Sequence, residues 1–173
     1  MKKVLLSFLI AGGLFAEDFI NLQISNKTLM LEGQYKIISQ EPFYLRGGYL
    51  VNYKNANFAY AGIKAESQII GTILPTKFSL FLDYVGTKNN SAIPIGIGMD
   101  SYIGGISIPF FVRGEVEYAP KFLSFKEANK FIKCKIETVS RFIIDGETFL
   151  GYRIISFDKH YNSAFYVGVG FYF

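Results

Sequence analysis

Charged side chains of both signs alternate with apolar residues along much of the chain. Arg113, Glu115 and Glu117 are separated by Gly114 and Val116. Residues two apart lie on the same face of a β-strand, so these three charges would stack along one face. Opposite charges in that arrangement form ion pairs, whereas a ring of charges of one sign would select ions. The sequence therefore indicates that electrostatic interactions of these side chains are its main chemistry.

The charged face continues over the other strand-like segments of the chain. It holds eight basic and seven acidic residues, and such a near balance favours pairing over ion selectivity. We predict that one charge network is formed by Arg46, Lys64, Glu66, Asp83, Asp100, Arg113, Glu115, Glu117, Lys135, Glu137, Arg141 and Arg153. The same face also carries Glu32, Lys36 and Lys133.

A second group of chemically versatile residues lies near the C-terminus. His160 is the only histidine, and it lies close to Asp158, Asn162 and Ser163. Histidine, serine and a carboxylate are the parts of a nucleophilic site. Lipid A deacylase barrels resemble this arrangement, but they carry His-x-Ser followed by a glutamate in the last strand. Here the spacing differs and no acidic residue follows Asp158, so we predict no catalytic residues. An outer-membrane lipid-modifying hydrolase with its site at the extracellular rim is the alternative.

The composition excludes several classes of protein. Half of the 173 residues are hydrophobic and 18% are charged, which excludes a disordered tail. After residue 16 no run of about 18 uncharged apolar residues occurs, which excludes a helical membrane protein. The single cysteine, Cys134, cannot form an internal disulfide, and the chain has no pair of Cys/His clusters for zinc. We therefore expect neither a metal nor another cofactor.

The first sixteen residues have the layout of a secretory signal peptide. Two lysines precede the apolar stretch Val4–Ile10, and Ala16 is the small residue at the expected cleavage site. We predict a signal peptide at 1–16 and a single domain at 17–173. Because export removes the chain from the cytoplasm, nucleic acid is not an expected partner, despite the pI of about 9.0.

The remainder of the chain is typical of β-strands about ten residues long, separated by clusters of Asn, Gly, Pro, Ser and Lys. The predicted strands are Phe19–Ser25, Thr28–Ile38, Phe43–Tyr53, Phe58–Ile70, Lys77–Val85, Ile93–Ile103, Ile106–Tyr118, Phe131–Ile143, Thr148–Phe157 and Ala164–Phe173. The longest connection, Pro120–Lys130, is predicted to be a short helix or an ordered loop.

Strand length and number favour a membrane barrel over a soluble one. Alternation alone would also fit a soluble barrel with its apolar face inside. However, strands of 9 to 11 or so residues match the span of a tilted strand across hydrocarbon, and an even number closes the sheet without an edge. We therefore predict an all-β fold: a closed up-and-down antiparallel transmembrane β-barrel of about ten strands, with eight as the alternative. Its charged face would line the lumen.

Aromatic residues collect near the predicted strand ends, as expected for the girdles of a membrane barrel. One rim would carry Phe19, Phe43, Tyr44, Phe149, Phe171 and Phe173, and the other rim would carry Tyr53, Phe58, Tyr84 and Tyr118.

The C-terminal segment resembles the closing strand of bacterial outer-membrane barrels. Phe165, Val167, Val169, Phe171 and the terminal Phe173 alternate with tyrosine and glycine. In those barrels the final phenylalanine is read by the insertion machinery. The resemblance implies that this machinery is a partner through Phe173.

Further motifs resemble the YfaZ family of outer-membrane proteins, best over residues 115–173. They are Glu115-Val116-Glu117-Tyr118-Ala119-Pro120, Leu123-Ser124-Phe125 with Glu127-Ala128-Asn129, Gly151-Tyr152-Arg153 and Tyr166-Val167-Gly168-Val169. The resemblance implies a porin-like protein in the outer membrane of a Gram-negative bacterium, and it supplies no substrate and no catalytic residues.

Ten strands lie close to the eight at which side chains fill the interior of a barrel. We therefore predict a narrow or side-chain-plugged lumen and a mainly structural or surface role, with passage of small solutes or ions left open. The outer connections are rich in lysine, and lipopolysaccharide phosphates are the expected partners of Lys121, Lys126 and Lys130. We place the acidic residues Asp145 and Glu147 in a periplasmic connection.

Overall fold

A computed structural model describes residues 18–38, 41–53, 56–69, 75–104, 109–143, 145–158 and 160–173. The predicted signal peptide and cleavage site lie outside these residues, as do Lys54 and Lys159 of the outer connections. Within the described part of the chain, no helix has the length and apolar character needed to cross a membrane.

The described chain forms twelve strands and one three-residue 3-10 helix, Lys121–Leu123. The strands are β1 (Phe19–Ile24), β2 (Thr28–Lys36), β3 (Phe43–Asn52), β4 (Phe58–Ile69), β5 (Thr76–Gly86), β6 (Asn90–Ala92), β7 (Ile95–Gly104), β8 (Phe110–Ala119), β9 (Ser124–Lys126), β10 (Phe131–Ile143), β11 (Gly146–Phe157) and β12 (His160–Tyr172). Most ends of the long strands agree with the predicted ones to within one or two residues.

The ten long strands form a closed antiparallel barrel. Their order around the wall is β4-β3-β2-β1-β12-β11-β10-β8-β7-β5, and pairing of β4 with β5 closes the circle. The first and last strands are neighbours, with Phe19 opposite Tyr172 and Ile24 opposite Val167. The predicted fold class is confirmed, with ten barrel strands and not eight.

Alternation along each strand separates two chemically different faces. Apolar side chains point outward, and Leu80 and Ile97 are 63% and 61% exposed. Charged side chains point inward, and Lys133 and Glu117 are buried. The apolar side chains of this outer face, among them Leu22, Leu45 and Val167, are exposed or half-buried, whereas a soluble barrel would bury them. The apolar wall is the face that a bilayer requires of a transmembrane barrel.

Two connections at the end of the barrel away from the chain termini fold over its mouth. The β5–β7 connection contains β6, and the β8–β10 connection contains the 3-10 helix and β9. β6 and β9 pair with each other, with Ser91 opposite Phe125. The predicted ordered loop at Pro120–Lys130 is therefore confirmed, and the partner strand β6 was not predicted.

The aromatic girdles were predicted wrongly at four positions. Phe19, Tyr44, Phe58 and Phe149 are buried, because each has the same parity in its strand as the inward-facing polar or charged residues. The other six predicted girdle residues are exposed at the rims: Phe43, Phe171, Phe173, Tyr53, Tyr84 and Tyr118.

Inward glycines make room for these interior rings. Gly168 lies opposite Phe149 in the β11–β12 pair. A Cβ atom at Gly168 would lie 2.2 Å from the Phe149 ring and 2.8 Å from the Leu22 carbonyl oxygen. Only glycine therefore permits this packing without a shift of the ring and the neighbouring backbone.

Candidate functional site

The candidate site is the interior of the barrel. We call the end at which β1 begins and β12 ends the inner end, and the opposite end the outer end. Three regions follow one another along the interior: a cavity at the inner end, a charge layer in the middle and an apolar cluster at the outer end.

Arg46 on β3 is the centre of the charge layer. Its Nε donates to Asp83 Oδ1 at 3.0 Å, and its Nη2 donates to both Asp83 and Glu117. Glu115 Oε2 lies 3.6 Å from Nη1. The guanidinium also stacks on the Phe81 ring, 3.8 Å from its centroid. Glu115 and Glu117 belong to β8, so these contacts cross the interior from one side of the barrel to the other.

Two lysines of β10 extend the charge layer. Lys133 Nζ donates to Glu117 Oε1 at 3.0 Å. Lys135 Nζ lies 3.2 Å from Glu115 Oε1 and 3.6 Å from Glu32 Oε2 on β2. All of these charged groups are buried or nearly so, which is tolerated because each has an opposite charge beside it.

A second set of ion pairs surrounds Arg113 on β8. Its two terminal nitrogens donate to the two oxygens of Glu147 at 2.9 and 3.0 Å, a bidentate arrangement. Glu137 and Asp100 lie 3.3 and 3.5 Å from the same guanidinium. Arg141 contacts Asp100 at 3.2 Å and Glu147 at 3.4 Å.

Glu147 was misassigned to a periplasmic connection. β11 begins at Gly146, two residues before its predicted start, so Glu147 lies within the strand. Its parity is that of Arg153, and its side chain is buried in the interior. Extending the alternation of β11 backwards from Arg153 would have identified it.

The remaining members of the predicted network lie on either side of these pairs. Lys64 pairs with Glu66 on the same strand, at the inner end. Arg153 is buried near the outer end, and no carboxylate of the described residues lies within 4 Å of it. Instead it donates to Gln23 Oε1 and to Thr28 Oγ1 at 3.1 Å, and it lies over the Tyr166 ring. Arg153 is therefore held by neutral groups.

The apolar cluster at the outer end was not predicted. The rings of Phe58 and Phe131 stack with centroids 6.0 Å apart, and Phe157 lies 4.7 Å from Phe131. Ala92 and Ala128 of the two outer connections belong to the same buried cluster. The other buried members are Met30, Leu50, Tyr60, Val85, Ala119 and Ile155. Interior side chains therefore change from charged to apolar toward the outer end.

The inner end contains a cavity of about 780 Å³, which we call the inner vestibule. Its lining comes from the middle of the strands, with Arg46, Glu115 and Lys135, and from the inner rim, with Lys77 and Asp145. Pockets that enclose small molecules have volumes of about 300 to 1,000 Å³. The vestibule is therefore large enough for a small solute.

The three lysines predicted to contact lipopolysaccharide, Lys121, Lys126 and Lys130, are exposed on the β8–β10 connection. Asp158, from the β11–β12 connection, anchors this loop: its carboxylate accepts the backbone N–H groups of Asn129 at 2.6 Å and Lys130 at 3.0 Å. The loop is thus held in place with its ammonium groups in solvent.

The candidate residues of a nucleophilic site are Asp158, His160 and Ser163. Asp158 is engaged by the backbone of the β8–β10 connection. Ser163 has the parity of Phe165 and Val167, which face outward from β12. The side chain of His160 lies outside the described part of the structure. The described geometry therefore does not favour the hydrolase alternative.

Solved structures with a similar fold are outer-membrane porins. A KdgM porin in complex with disordered oligogalacturonate matches with a TM-score of 0.52 and 10% sequence identity, over 91% of this chain and 99% of that chain. A second KdgM porin structure matches with a TM-score of 0.50 and 11% identity over the same shares. No family model and no curated protein matches the sequence. At these identities the likeness establishes the barrel fold.

Proposed function

We propose that this chain is an integral, porin-like β-barrel of the outer membrane of a Gram-negative bacterium, with a lumen closed by its own side chains. The outward apolar wall and the fold shared with porins support the membrane location. This proposal includes a signal peptide at 1–16, which rests on the sequence pattern. It also includes recognition of Phe173 by the insertion machinery and membership of the YfaZ family, which rest on sequence resemblance alone.

The observation that best supports a closed lumen is that two barriers follow each other along the barrel axis. Arg46 reaches Glu117 across the interior, and Lys135 approaches Glu32. Beyond this layer, the rings of Phe58 and Phe131 pack against each other in the apolar cluster. Water and ions would have to pass both layers, and an apolar constriction opposes the passage of ions by excluding water.

We infer a structural or surface role and no enzymatic activity. Ion pairs of balanced charge are expected in a barrel whose interior is filled by side chains, because a buried charge is stable only beside an opposite charge. Asp158 is engaged by the β8–β10 connection and Ser163 faces outward, which supports the absence of a hydrolase site.

Planar-bilayer recording of the refolded protein tests the closed lumen. We expect small conductance steps or none, because both layers obstruct the lumen. Large, reproducible steps would contradict the closure and would favour an open pore for small solutes or ions.

We also propose that the β8–β10 connection binds lipopolysaccharide phosphates through Lys121, Lys126 and Lys130. Three exposed ammonium groups on an anchored loop attract an anionic surface without a large ordering cost. Replacing all three with glutamine is expected to weaken retention of lipopolysaccharide during purification, most clearly at low salt.

The lipopolysaccharide carried by the purified variant, quantified against the wild type, checks this prediction. Lys77→Gln is a matched control, since Lys77 lies at the opposite end of the barrel. Equal retention by the triple variant and the control would refute the assignment.

A further inference from the structure

The outer part of β12 has a neighbouring strand on one side only. β12 pairs with β11 from His160 almost to its end. On its other side, β1 ends at Ile24, opposite Val167. Residues 160–166 therefore extend past β1 toward the outer end, and no strand of the described chain pairs with them on that side. We call this side the open edge of β12.

A similar step occurs between β5 and β7, but there the chain covers it. The last pair of these two strands toward the outer end joins Leu82 and Ile95. Beyond this pair, the backbone N–H of Asp83 donates to the Pro94 carbonyl oxygen at 3.2 Å, and β6 pairs with the end of β5. Natural proteins usually cover or interrupt exposed strand edges, because such edges pair with other chains. The open edge of β12 lacks a cover of this kind.

The direction of the backbone groups along β12 follows from its inner end. There Phe173 and Asp18 exchange two backbone hydrogen bonds of 3.0 Å, whereas the Tyr172 N–H donates to the Asp145 carbonyl oxygen on the β11 side. Hydrogen bonds alternate between the two sides of a strand, and neither ladder of β12 contains a bulge. Odd-numbered residues of β12 therefore direct their N–H and C=O groups toward the β1 side.

The open edge thus presents the backbone groups of Tyr161, Ser163 and Phe165, which follow one another at intervals of about 7 Å. Within the described structure, no hydrogen bond is made to their three N–H and three C=O groups. Residues 161–166 also contain no charged residue and no proline, which commonly protect an edge strand from pairing. The edge is therefore open to a further strand.

Two side chains beside the open edge define the chemistry of a partner. Phe165 is 73% exposed, more than any other large apolar side chain of the described barrel strands. Its ring contacts Tyr152 of β11, with centroids 4.7 Å apart, and no strand covers it from the other side. Lys27, in the turn that follows β1, is exposed at the foot of the edge. An apolar residue near Phe165 and a carboxylate near Lys27 would complement both.

We propose that the open edge of β12 binds an extended segment of another polypeptide, which adds a strand to the barrel wall by β-augmentation. The segment runs antiparallel to β12, with an acidic residue beside Lys27 followed by an apolar residue opposite Phe165. Donors and acceptors that alternate at the spacing of a strand are matched by another extended backbone. This binding goes beyond the proposed structural role and does not depend on a closed lumen.

A second copy beside the first in the same membrane does not fit the open edge. The strands of a transmembrane barrel are tilted by about 35 to 45°. The strands in the facing walls of two upright copies therefore cross at about 70 to 90°, twice the tilt, and cannot share a ladder of hydrogen bonds. The partner is accordingly a segment of a different polypeptide.

A short peptide tests the backbone pairing. The probe is acetyl-Asp-Trp-Thr-Val-Thr-Val-amide, added to the refolded, full-length protein in detergent micelles. The protein contains no tryptophan, so tryptophan fluorescence reports the peptide alone. In the proposed register the second, fourth and sixth residues of the peptide direct their backbone groups toward β12, and the third and fifth direct theirs away. We expect saturable binding beyond that to empty micelles.

Methylation of single backbone nitrogens of the peptide distinguishes strand pairing from non-specific adsorption. Methylation of the fourth nitrogen removes the donor to the Ser163 carbonyl oxygen and should weaken binding about tenfold. Methylation of the third nitrogen, which is directed away from β12, should leave the affinity within about twofold of that of the unmodified peptide. The two methylated peptides have the same size, charge and apolar character, so they are matched controls for each other.

Variants of the protein test the same contacts from the other side. Ser163→Pro removes one N–H of the open edge and keeps the hydrogen bonds between β12 and β11, so it should weaken binding about tenfold. Ser163→Ala keeps the N–H and should bind as the wild type does. Lys27→Gln should weaken binding several-fold, with Lys121→Gln on the β8–β10 connection as its matched control. Circular dichroism verifies the strand content of each variant.

Equal affinities of the two methylated peptides would overturn the proposal, as would the absence of saturable binding by the folded wild type. Dimers of the protein that dissociate in Ser163→Pro would assign the open edge to a second copy and would also contradict it. The conductance of the lumen bears on none of these results, so failure of this inference is distinguishable from failure of the proposed function.

Discussion

Replacing Arg46 with methionine is expected to lower the free energy of unfolding by about 3 to 5 kcal/mol, the cost of removing one partner of a buried ion pair. Methionine preserves most of the side-chain length but leaves Asp83 and Glu117 without their shared guanidinium. Both carboxylates are fully buried, so water cannot replace the lost partner. Urea unfolding of the protein in lipid vesicles, followed by circular dichroism, measures the loss.

Lys77→Met is the matched control for this substitution, because Lys77 is an inward cation that is largely in solvent. Its expected effect is within about 1 kcal/mol, the usual range for an exposed pair. Equal losses in the two variants would show that the Arg46 contacts add no stability beyond that of a solvated ion pair.

Replacing Phe131 with alanine is expected to cost about 3 to 5 kcal/mol, as for large-to-small substitutions in well-packed cores. The Phe131 ring is fully buried between Phe58 and Phe157, and its removal leaves a cavity at the outer end of the barrel. The same urea unfolding measures the effect, with the midpoint and slope compared to those of the wild type.

The control for the apolar cluster is Phe122→Ala on the outer connection. Phe122 is 78% exposed, and substitutions at such positions change stability by about 0.5 kcal/mol or less. A small loss at Phe131, similar to that at Phe122, would mean that the outer end is loosely packed and would weaken the case for a closed lumen.

The fold was predictable because apolar and polar side chains alternate along every strand of a membrane barrel. Alternation with a period of two separates Leu80 from Ser79 and Val116 from Glu117, and it needs no knowledge of neighbouring strands. The preference of lipid for apolar side chains then decides which face points outward. The direction of each predicted network residue was therefore available from the sequence.

The partners of the charges were not predictable in the same way. Arg46 and Glu117 are 71 residues apart, and their contact depends on the strand order and the stagger of the closed sheet. Alternation gives the face of a side chain but not its height along the axis. Arg153 illustrates the limit, because it belongs to the predicted face and yet is held by neutral groups.

The apolar cluster was missed because its aromatic members lie near strand ends. Phe58 lies at the start of β4 and Phe157 at the end of β11, where aromatic residues of a membrane barrel are expected at the rim. Their parity relative to Lys64 and Arg153 places them inside. Extending the alternation of the charged residues to the end of each strand would have distinguished rings inside the barrel from rings at the membrane interface.

The most direct test of the account is to locate the two faces of β5 in a membrane. Single cysteines introduced by Ser79→Cys and Leu80→Cys, each in a Cys134→Ser background, are labelled with a small fluorophore after refolding into vesicles. Ser79 lines the inner vestibule, and Leu80 is on the outer wall. We expect brominated acyl chains to quench the label at position 80 and aqueous iodide to quench the label at position 79. The reverse pattern, or iodide quenching at both positions, would contradict an apolar wall facing lipid around a charged interior.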